Sequence, residues 1–405
     1  MFKAGPRIEQ MEHSLGRLVE RRWEADPGAY GGRRARSSFM YQAFVPDPIA
    51  TLNPPTTFEA ADAVGEAEEA VRELNASGSV TGLESIGALL LRSEAIASSR
   101  IEGYELSQRN LARALIDPRA ARGTARTVAA NVVAMEEAIA LGGEVRRLTG
   151  DDIRAVHQTL MAAEPRVTPG QYRREQNWIG GRLDSPIDAR YIPPPEDEVE
   201  RLMIDLVAFV NRDDLPGVAQ AAIAHAQFES IHPFRDGNGR VGRCLIHMVL
   251  RRRGVAPRFV PPVSVVLAAR PNAYIAGLVD FREGRISEWC ASFAGACSRA
   301  ARLSTELAEE ITRLGTTWYE RAGRPRRDSA AARIIAALPA QPITSAATIR
   351  AAIGASHQRA LGGLKALAEA GVVRQITEGG YDRQFAADEL FTVLEAYEAR
   401  IVRVA

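Results

Sequence analysis

The sequence predicts a mainly α-helical protein that ends in a small module containing β-strands. Three observations lead there. Alanine is abundant and runs of β-branched residues are few, which favours helix over sheet. Apolar residues recur at helical spacing through most of the chain. After about residue 327 the pattern shifts to short helices followed by two strand-like runs around a Glu-Gly-Gly turn.

Length and charge bound the rest. The chain has 405 residues, room for two or three domains, and a net charge of +1, so no global field points to nucleic acid or a membrane. No run of about 18 apolar residues exists, so no transmembrane helix and no membrane partner are expected. The Arg-rich first residues also carry Glu9, Glu12, Glu20, Glu24 and Asp26 and lack an apolar core, so no secretory signal is expected there. Cys244, Cys290 and Cys297 lie in apolar helical patterns without metal-type spacing. They read as reduced core residues of a cytoplasmic protein.

Taken in order, residues 1–55 are broken by Pro, Gly and Arg, with one short helix expected over Ile8–Trp23 and an extended arm through Phe44. Residues 57–76 read as an amphipathic helix, and 83–107 as a second one whose core face is Leu83, Ile86, Leu89, Leu90 and Ile96. Gly103 is a C-terminal stop for that helix. Glu102, just before it, sits at a helix end where the dipole disfavours a carboxylate, a mismatch that a cation from elsewhere would relieve. Helices continue over 108–147, with a Gly/Arg linker at 119–126. Thr149 caps a helix running to Met161. The chain then turns extended, and Asn177–Ile179 with Ala189–Ile192 read as a β-hairpin closed by Pro193–Pro195. Helices follow over 196–211, 216–230, 242–253 and 287–320, the last opened by Trp289 and Phe293. His225 and His247 lie inside apolar helices and read as packed, hydrogen-bonded residues. Expected domains are 1–120, 121–320 and 328–405, with Arg321–Arg327 as the last boundary.

The chemistry concentrates in Ile231-His-Pro-Phe-Arg-Asp-Gly-Asn-Gly-Arg-Val-Gly-Arg243. His232 can accept a proton near neutral pH. Asp236 is a hard oxygen ligand of the kind Mg²⁺ takes when it also holds phosphates. Gly237, Asn238 and Gly239 form a turn without side-chain bulk at the start of a helix, where N–H groups and the dipole favour a phosphate. Arg240 and Arg243 follow on the first turns. A base, a metal ligand, an anion nest and two guanidinium groups within one short stretch suit phosphoryl or nucleotidyl transfer.

This stretch resembles the signature of the Fic family, His-Pro-Phe-x-(Asp/Glu)-Gly-Asn-Gly-Arg-x-x-Arg, with every specified position filled. The resemblance implies a Fic-type helical core with a β-hairpin flap, and transfer of AMP from ATP to a protein hydroxyl. By position, His232 would be the general base and Phe234 a buried anchor. Asp236 would hold Mg²⁺, and Gly237, Asn238, Gly239, Arg240 and Arg243 would bind the phosphates. The related Doc branch, which transfers phosphate, typically carries Lys where this chain has Gly239. Ser98, Glu102 and Gly103 resemble the family's inhibitory motif, (Ser/Thr)-x-x-x-Glu-(Gly/Asn), whose Glu would pair with Arg243 and keep the γ-phosphate from docking. Within the same resemblance, Asn177, Trp178 and Ile179 would be the flap that docks an extended target segment through its strand edge. Tyr274 would be an aromatic beside the adenine.

Beyond residue 327, three helices and a hairpin resemble a winged helix-turn-helix, with 356–370 as its recognition helix. Eleven Lys/Arg against eight Asp/Glu over 324–405 make it modestly basic, so DNA or a dimer partner are both expectations for it. Three readings therefore stand: an auto-inhibited AMP transferase, with itself among its targets; a winged-helix regulator or scaffold for which nucleotide is only a ligand; and an enzyme using the same site to remove AMP.

Overall fold

A computed structural model describes residues 14–24, 37–76, 80–144, 146–164, 166–182, 184–377 and 383–404, with the backbone alone at 80–85, 402 and 404. Helices carry the architecture. The first departure from expectation is at the start. Gly16–Trp23 is a strand, β1, paired antiparallel with β2, Phe39–Pro46, from Gly16↔Pro46 to Trp23↔Phe39. A helix was expected over Ile8–Trp23, and Ile8–His13 lies outside the described residues. The extended arm supplies the partner, and pairing overrides a weak local helix preference. Gly16 permits the close approach, since a Cβ there would run into the Phe44 ring and the Val45 carbonyl.

Then come α1 (Phe58–Ala76), α2 (Val80–Ile101), α3 (Gln108–Ile116), α4 (Gly123–Gly143) and α5 (Gly150–Met161). On α2 the expected core residues Ile86, Leu89, Leu90 and Ile96 are buried, while the side chain of Leu83 lies outside the described ones. Thr149 and Asp152 close a reciprocal capping box on α5. A single 3-10 turn, Glu196–Glu198, leads into α6 (Val199–Val210).

The centre of the molecule is the helix pair α7 (Gly217–Ile231) and α8 (Asn238–Arg252). Nearly every residue of α7 is buried, including Gln220, His225, Gln227 and Glu229. A helix buried all round must be wrapped by others. α6, α8, α10 (Pro271–Arg282) and α11 (Ile286–Arg321) pack on α7, while α4, α5 and α2 pack on α8. The short α9 (Val263–Ala269) lies between α2 and α11.

The C-terminal module runs α12 (Ala330–Ala337), β3 (Ile343–Ser345), α13 (Ala346–Ile353), α14 (His357–Glu369), β4 (Arg374–Gln375) and β5 (Gln384–Ala386). Its antiparallel sheet has the order β3-β5-β4. The three helices and the β4–β5 pair are the elements expected there, and β3 is an addition; the turn between β4 and β5 falls partly outside the described residues. Unforeseen were α9, β3 and α15, Asp388–Val404, the last of which returns from the module to pack on α11, α9 and α3. No described helix is long and apolar enough to cross a membrane.

Candidate active site

α7 ends abruptly at His232, which caps it in a left-handed conformation, φ 51° and ψ 59°. This is an uncommon geometry for a residue with a Cβ, and the surroundings hold it. The His232 N–H donates to Phe228 O (2.9 Å), and its carbonyl accepts from Arg173 Nε (2.9 Å) and Asn177 Nδ2 (3.4 Å). Its imidazole Nδ1 faces Glu229, with the carboxylate 4.0 Å away. Burial, helped by Arg173, pushes the imidazole down to about 4. It is therefore neutral, and able to accept a proton, across the physiological range. Burial also pushes the Glu229 carboxyl up, to about 7.

The loop from Pro233 to Gly237 is pinned from inside. Phe234 is fully buried and stacks face to face on His157, 3.8 Å between centroids at 3°. His157 Nε2 donates to Asp236 O (3.2 Å), and its Nδ1 accepts from the Gly170 N–H (2.9 Å). Both nitrogens are satisfied in the neutral ring, and burial lowers it to about 4. Gly237 opens α8 at φ 78°.

The Asn238 side chain also shapes the loop. Its amide is buried and bonds one residue at both ends: Oδ1 accepts from Phe234 N and Nδ2 donates to Phe234 O, both 2.8 Å. Gly239 is glycine for a visible reason: a Cβ there would overlap Glu102 Oε1 and lie 3.0 Å from Arg243 Nη1.

Two cations flank the helix start. Arg240 is buried, 5.2 Å over the Tyr104 ring and 4.0 Å from Asp236 Oδ1. Arg243 is only 1% exposed. Its Nε donates to Ser98 Oγ (2.8 Å), and its Nη2 to Ser98 O (2.8 Å) and Glu102 Oε1 (2.7 Å). Burial pushes the Arg243 guanidinium down, but Glu102, with Tyr274 and Glu229, more than offsets it. Burial likewise pushes Glu102 up, while Arg243 pulls it below the usual carboxylate range. The unfavourable carboxylate at the end of α2 thus finds its cation 141 residues on. Gly103, at φ 84°, ends α2 in the left-handed turn.

Asp236 is exposed at the mouth of the turn, its Oδ1 accepting the Gly237 N–H (2.6 Å). Among the described residues no three His, Cys, Asp or Glu side chains gather as a metal cage. A single accessible carboxylate beside an anion nest fits Mg²⁺, which usually takes one or two carboxylates and completes its shell with phosphates and water.

Two expectations change. Tyr274 is interior: its hydroxyl donates to His225 Nε2 (2.8 Å), whose Nδ1 donates to Gly242 O (2.9 Å). It braces α10 against the α7–α8 pair rather than presenting a face to a ligand. His225, buried and lowered to about 3, is structural, as is His247, which bonds Glu94 (2.9 Å). The expected flap hairpin is reduced to one bridge, Ile179↔Tyr191. Gly180 and Gly181, at φ 74° and 72°, end the pairing at once. Asn177 braces the loop through Phe234 O (2.9 Å). Trp178 packs edge-on against Trp23, 5.5 Å between centroids, and its indole donates to Arg182 O (2.6 Å). A cavity of about 340 Å³, lined by Arg173, Asn177, Trp178 and Arg235 among others, opens beside this segment. Arg173 went unnoticed in the sequence: it is buried, and besides His232 O it bonds Pro194 O (2.5 Å) through its guanidinium and Pro233 O (2.9 Å) through its amide. Nothing in an irregular, polar run marks such a residue.

Residues 147–250 match the family model described as Fic/DOC. Over 117 residues the chain is 33% identical to the protein adenylyltransferase Fic of Drosophila erecta, covering 28% of this chain and 22% of that protein. Over 145 residues it is 28% identical to the protein adenylyltransferase fic-1 of Caenorhabditis elegans, covering 35% and 27%. The chain thus spans only about a quarter of the length of these curated relatives. Among solved structures, a Fic family protein from Desulfovibrio desulfuricans superposes with a TM-score of 0.50 at 23% identity, over 83% of this chain and 98% of that one. Fic-1 of C. elegans gives 0.50 at 22%, over 62% and 73%. At such identities these likenesses speak to the fold.

Proposed function

The chain is a Fic-family protein, and from that premise we propose that it transfers AMP from ATP to a Ser, Thr or Tyr hydroxyl of a protein, under restraint by Glu102. The observation that carries this reading is the position of Arg243: its guanidinium lies against Gly239 at the start of α8, with Glu102 2.7 Å away.

In this reading the ATP phosphates lie over the first amides of α8, where Gly237 and Gly239 leave room. Arg240 and Arg243 balance their charge. Asp236 is the residue that would hold Mg²⁺, which supplies charge neutralisation on the α- and β-phosphates when bound. His232 takes the proton of the target hydroxyl. The hydroxyl oxygen forms its bond to the α-phosphorus, the bond from that phosphorus to the β-phosphate oxygen breaks, and pyrophosphate leaves. The target segment lies along Asn177–Ile179 and the adjoining cavity, aligned through main-chain groups. Glu102 occupies Arg243 and the space over Gly239, so the terminal phosphate is kept from settling there.

Intact mass of the Glu102→Gly protein, incubated with Mg²⁺ and each nucleoside triphosphate in turn, tests this. One or more adenylates added with ATP, above the parent level, supports it. No gain over the parent removes the lock from the reading.

The C-terminal module supports a partner of its own. Arg350, Arg359 and Lys365 are exposed on α13 and α14 and make no ion pair among the described residues, whereas Asp388, Glu389 and Glu398 are tied up in bonds toward the helical core. These exposed, unpaired cations favour nucleic acid. A DNA mobility shift measured with and without ATP tests it; no shift at low salt counts against it.

A further inference from the structure

The turn that carries Glu102 is gripped at both ends by one helix of the C-terminal module. Before the turn, Arg100 Nη2 lies 3.6 Å from Glu398 Oε2 of α15. After it, Gln108 Nε2 donates to the other oxygen, Glu398 Oε1, at 3.1 Å, and to Ser93 Oγ on α2 at 3.0 Å. The next residue, Arg109, donates to Asp388 Oδ1 (2.6 Å) and lies 4.3 Å over the Phe391 ring, both on α15. Residues 102–107 thus form a short loop whose two flanks hold the same partner.

Inside the loop the support is thinner. Gly103 N donates to Arg100 O (2.9 Å) and Tyr104 N to Ser99 O (3.0 Å), and the Glu102 side chain remains 36% exposed. A cleft of about 120 Å³ lies between Arg92, Ala112, Leu115 and Ile116 on one side and Gln341–Ile343 and Thr348 on the other. The buried Nη1 of Arg92 has no hydrogen-bond partner. α15 is anchored separately to α11, through Glu389 with Trp318 Nε1 (2.6 Å) and Arg321 (3.0 Å), and through Arg400 with Glu310.

We propose that α15 is a clamp on the inhibitory turn, and that Glu398 is a positioning residue: it holds Arg100 and Gln108 so that Glu102 stays on Arg243. The C-terminal module then sets how firmly the active site is closed. A displacement of α15 frees the flanks of 102–107 and lets Glu102 leave Arg243. This rests on the reading of Glu102 as a lock, but its structural half stands apart from catalysis.

The test uses the full chain with Glu398→Ala, alone and combined with Glu102→Gly. Amide hydrogen exchange at Gly103 and Tyr104 reports the turn without any reaction. Intact mass with Mg²⁺ and ATP reports adenylate transfer. Glu398→Ala is expected to speed exchange at both amides and raise self-adenylation about three- to tenfold, the scale of losing two partly exposed polar contacts. In the Glu102→Gly background it adds nothing. Arg100→Ala, cutting the same pair from its more exposed end, repeats the effect. Unchanged exchange at both amides overturns the clamp, as does an equal gain in the Glu102→Gly background. Should Glu102→Gly itself take up no adenylate, the functional reading fails while exchange still decides the clamp.

Discussion

The turn between α7 and α8 and the turn after α2 meet at Arg243, and they are built to opposite standards. The first is closed on itself. Asn238 spends both ends of its amide on Phe234, His157 uses both ring nitrogens on the surrounding backbone, and Arg173 ties down His232, Pro233 and Pro194. Such a network fixes one geometry. The second turn holds one exposed-side carboxylate through one ion pair, between flanks secured by half-exposed partners. On the proposed reading, a rigid site and a loosely held turn are what restraint by Glu102 needs, because only the second has to move.

That contrast can be broken from either side. The largest effect is expected at His232: in a Glu102→Gly background, His232→Ala should lower adenylate transfer by about 10²- to 10⁴-fold, the usual contribution of a positioned base, with an unchanged circular dichroism spectrum. Phe234→Ala attacks the rigid turn directly. Removing a fully buried ring stacked on His157 should cost about 3–5 kcal/mol of unfolding free energy in a denaturant titration. A loss under about 1 kcal/mol would mean the loop does not depend on that anchor. Glu102→Gly removes a charge-assisted hydrogen bond worth about 1.5–3 kcal/mol, so transfer should rise roughly ten- to hundredfold.

The pH profile sharpens the comparison. With His232 lowered to about 4, the Glu102→Gly protein should keep its rate from pH 8 to 5, and lose it only as the ring protonates below that. An acid limb near pH ~6.5 would indicate an ordinary, solvated imidazole. Glu102 has the opposite dependence of a depressed carboxyl. Its pairing is present above the usual carboxylate range and is released only as pH falls through its lower folded value, so inhibition of the parent should also persist at pH 5. The smallest effect is at the edge of the site: Thr149→Ala removes half of the α5 capping box and should lower stability by about 1 kcal/mol, read as a shift in Tm.

The same contrast separates what the sequence showed from what it hid. The α7–α8 turn was legible because its groups are local: His232, Asp236, the glycines and both arginines fall within one short stretch, and a helix start after Gly-Asn-Gly aims them together. Glu102 was legible as an electrostatic misfit at a helix end. What stayed hidden depends on distant partners. Gly16–Trp23 has a composition that permits helix or strand, and only β2 decides. Nothing local shows that the Asn238 amide bonds Phe234 at both ends. Tyr274 looked available because aromatic spacing does not reveal that His225 meets it 49 residues away. Arg173 and α15 matter for where they end up in space, and neither carries a local signal of that.

The most direct single measurement is retention of label by the Glu102→Gly protein from ATP labelled at the α-phosphate, run beside ATP labelled at the γ-phosphate, with Mg²⁺ present. Label from the α-position alone should remain covalently attached to the denatured protein. Retention of the γ-label instead, or of neither, would contradict adenylate transfer at the site built by His232, the α8 N-terminus and Arg243.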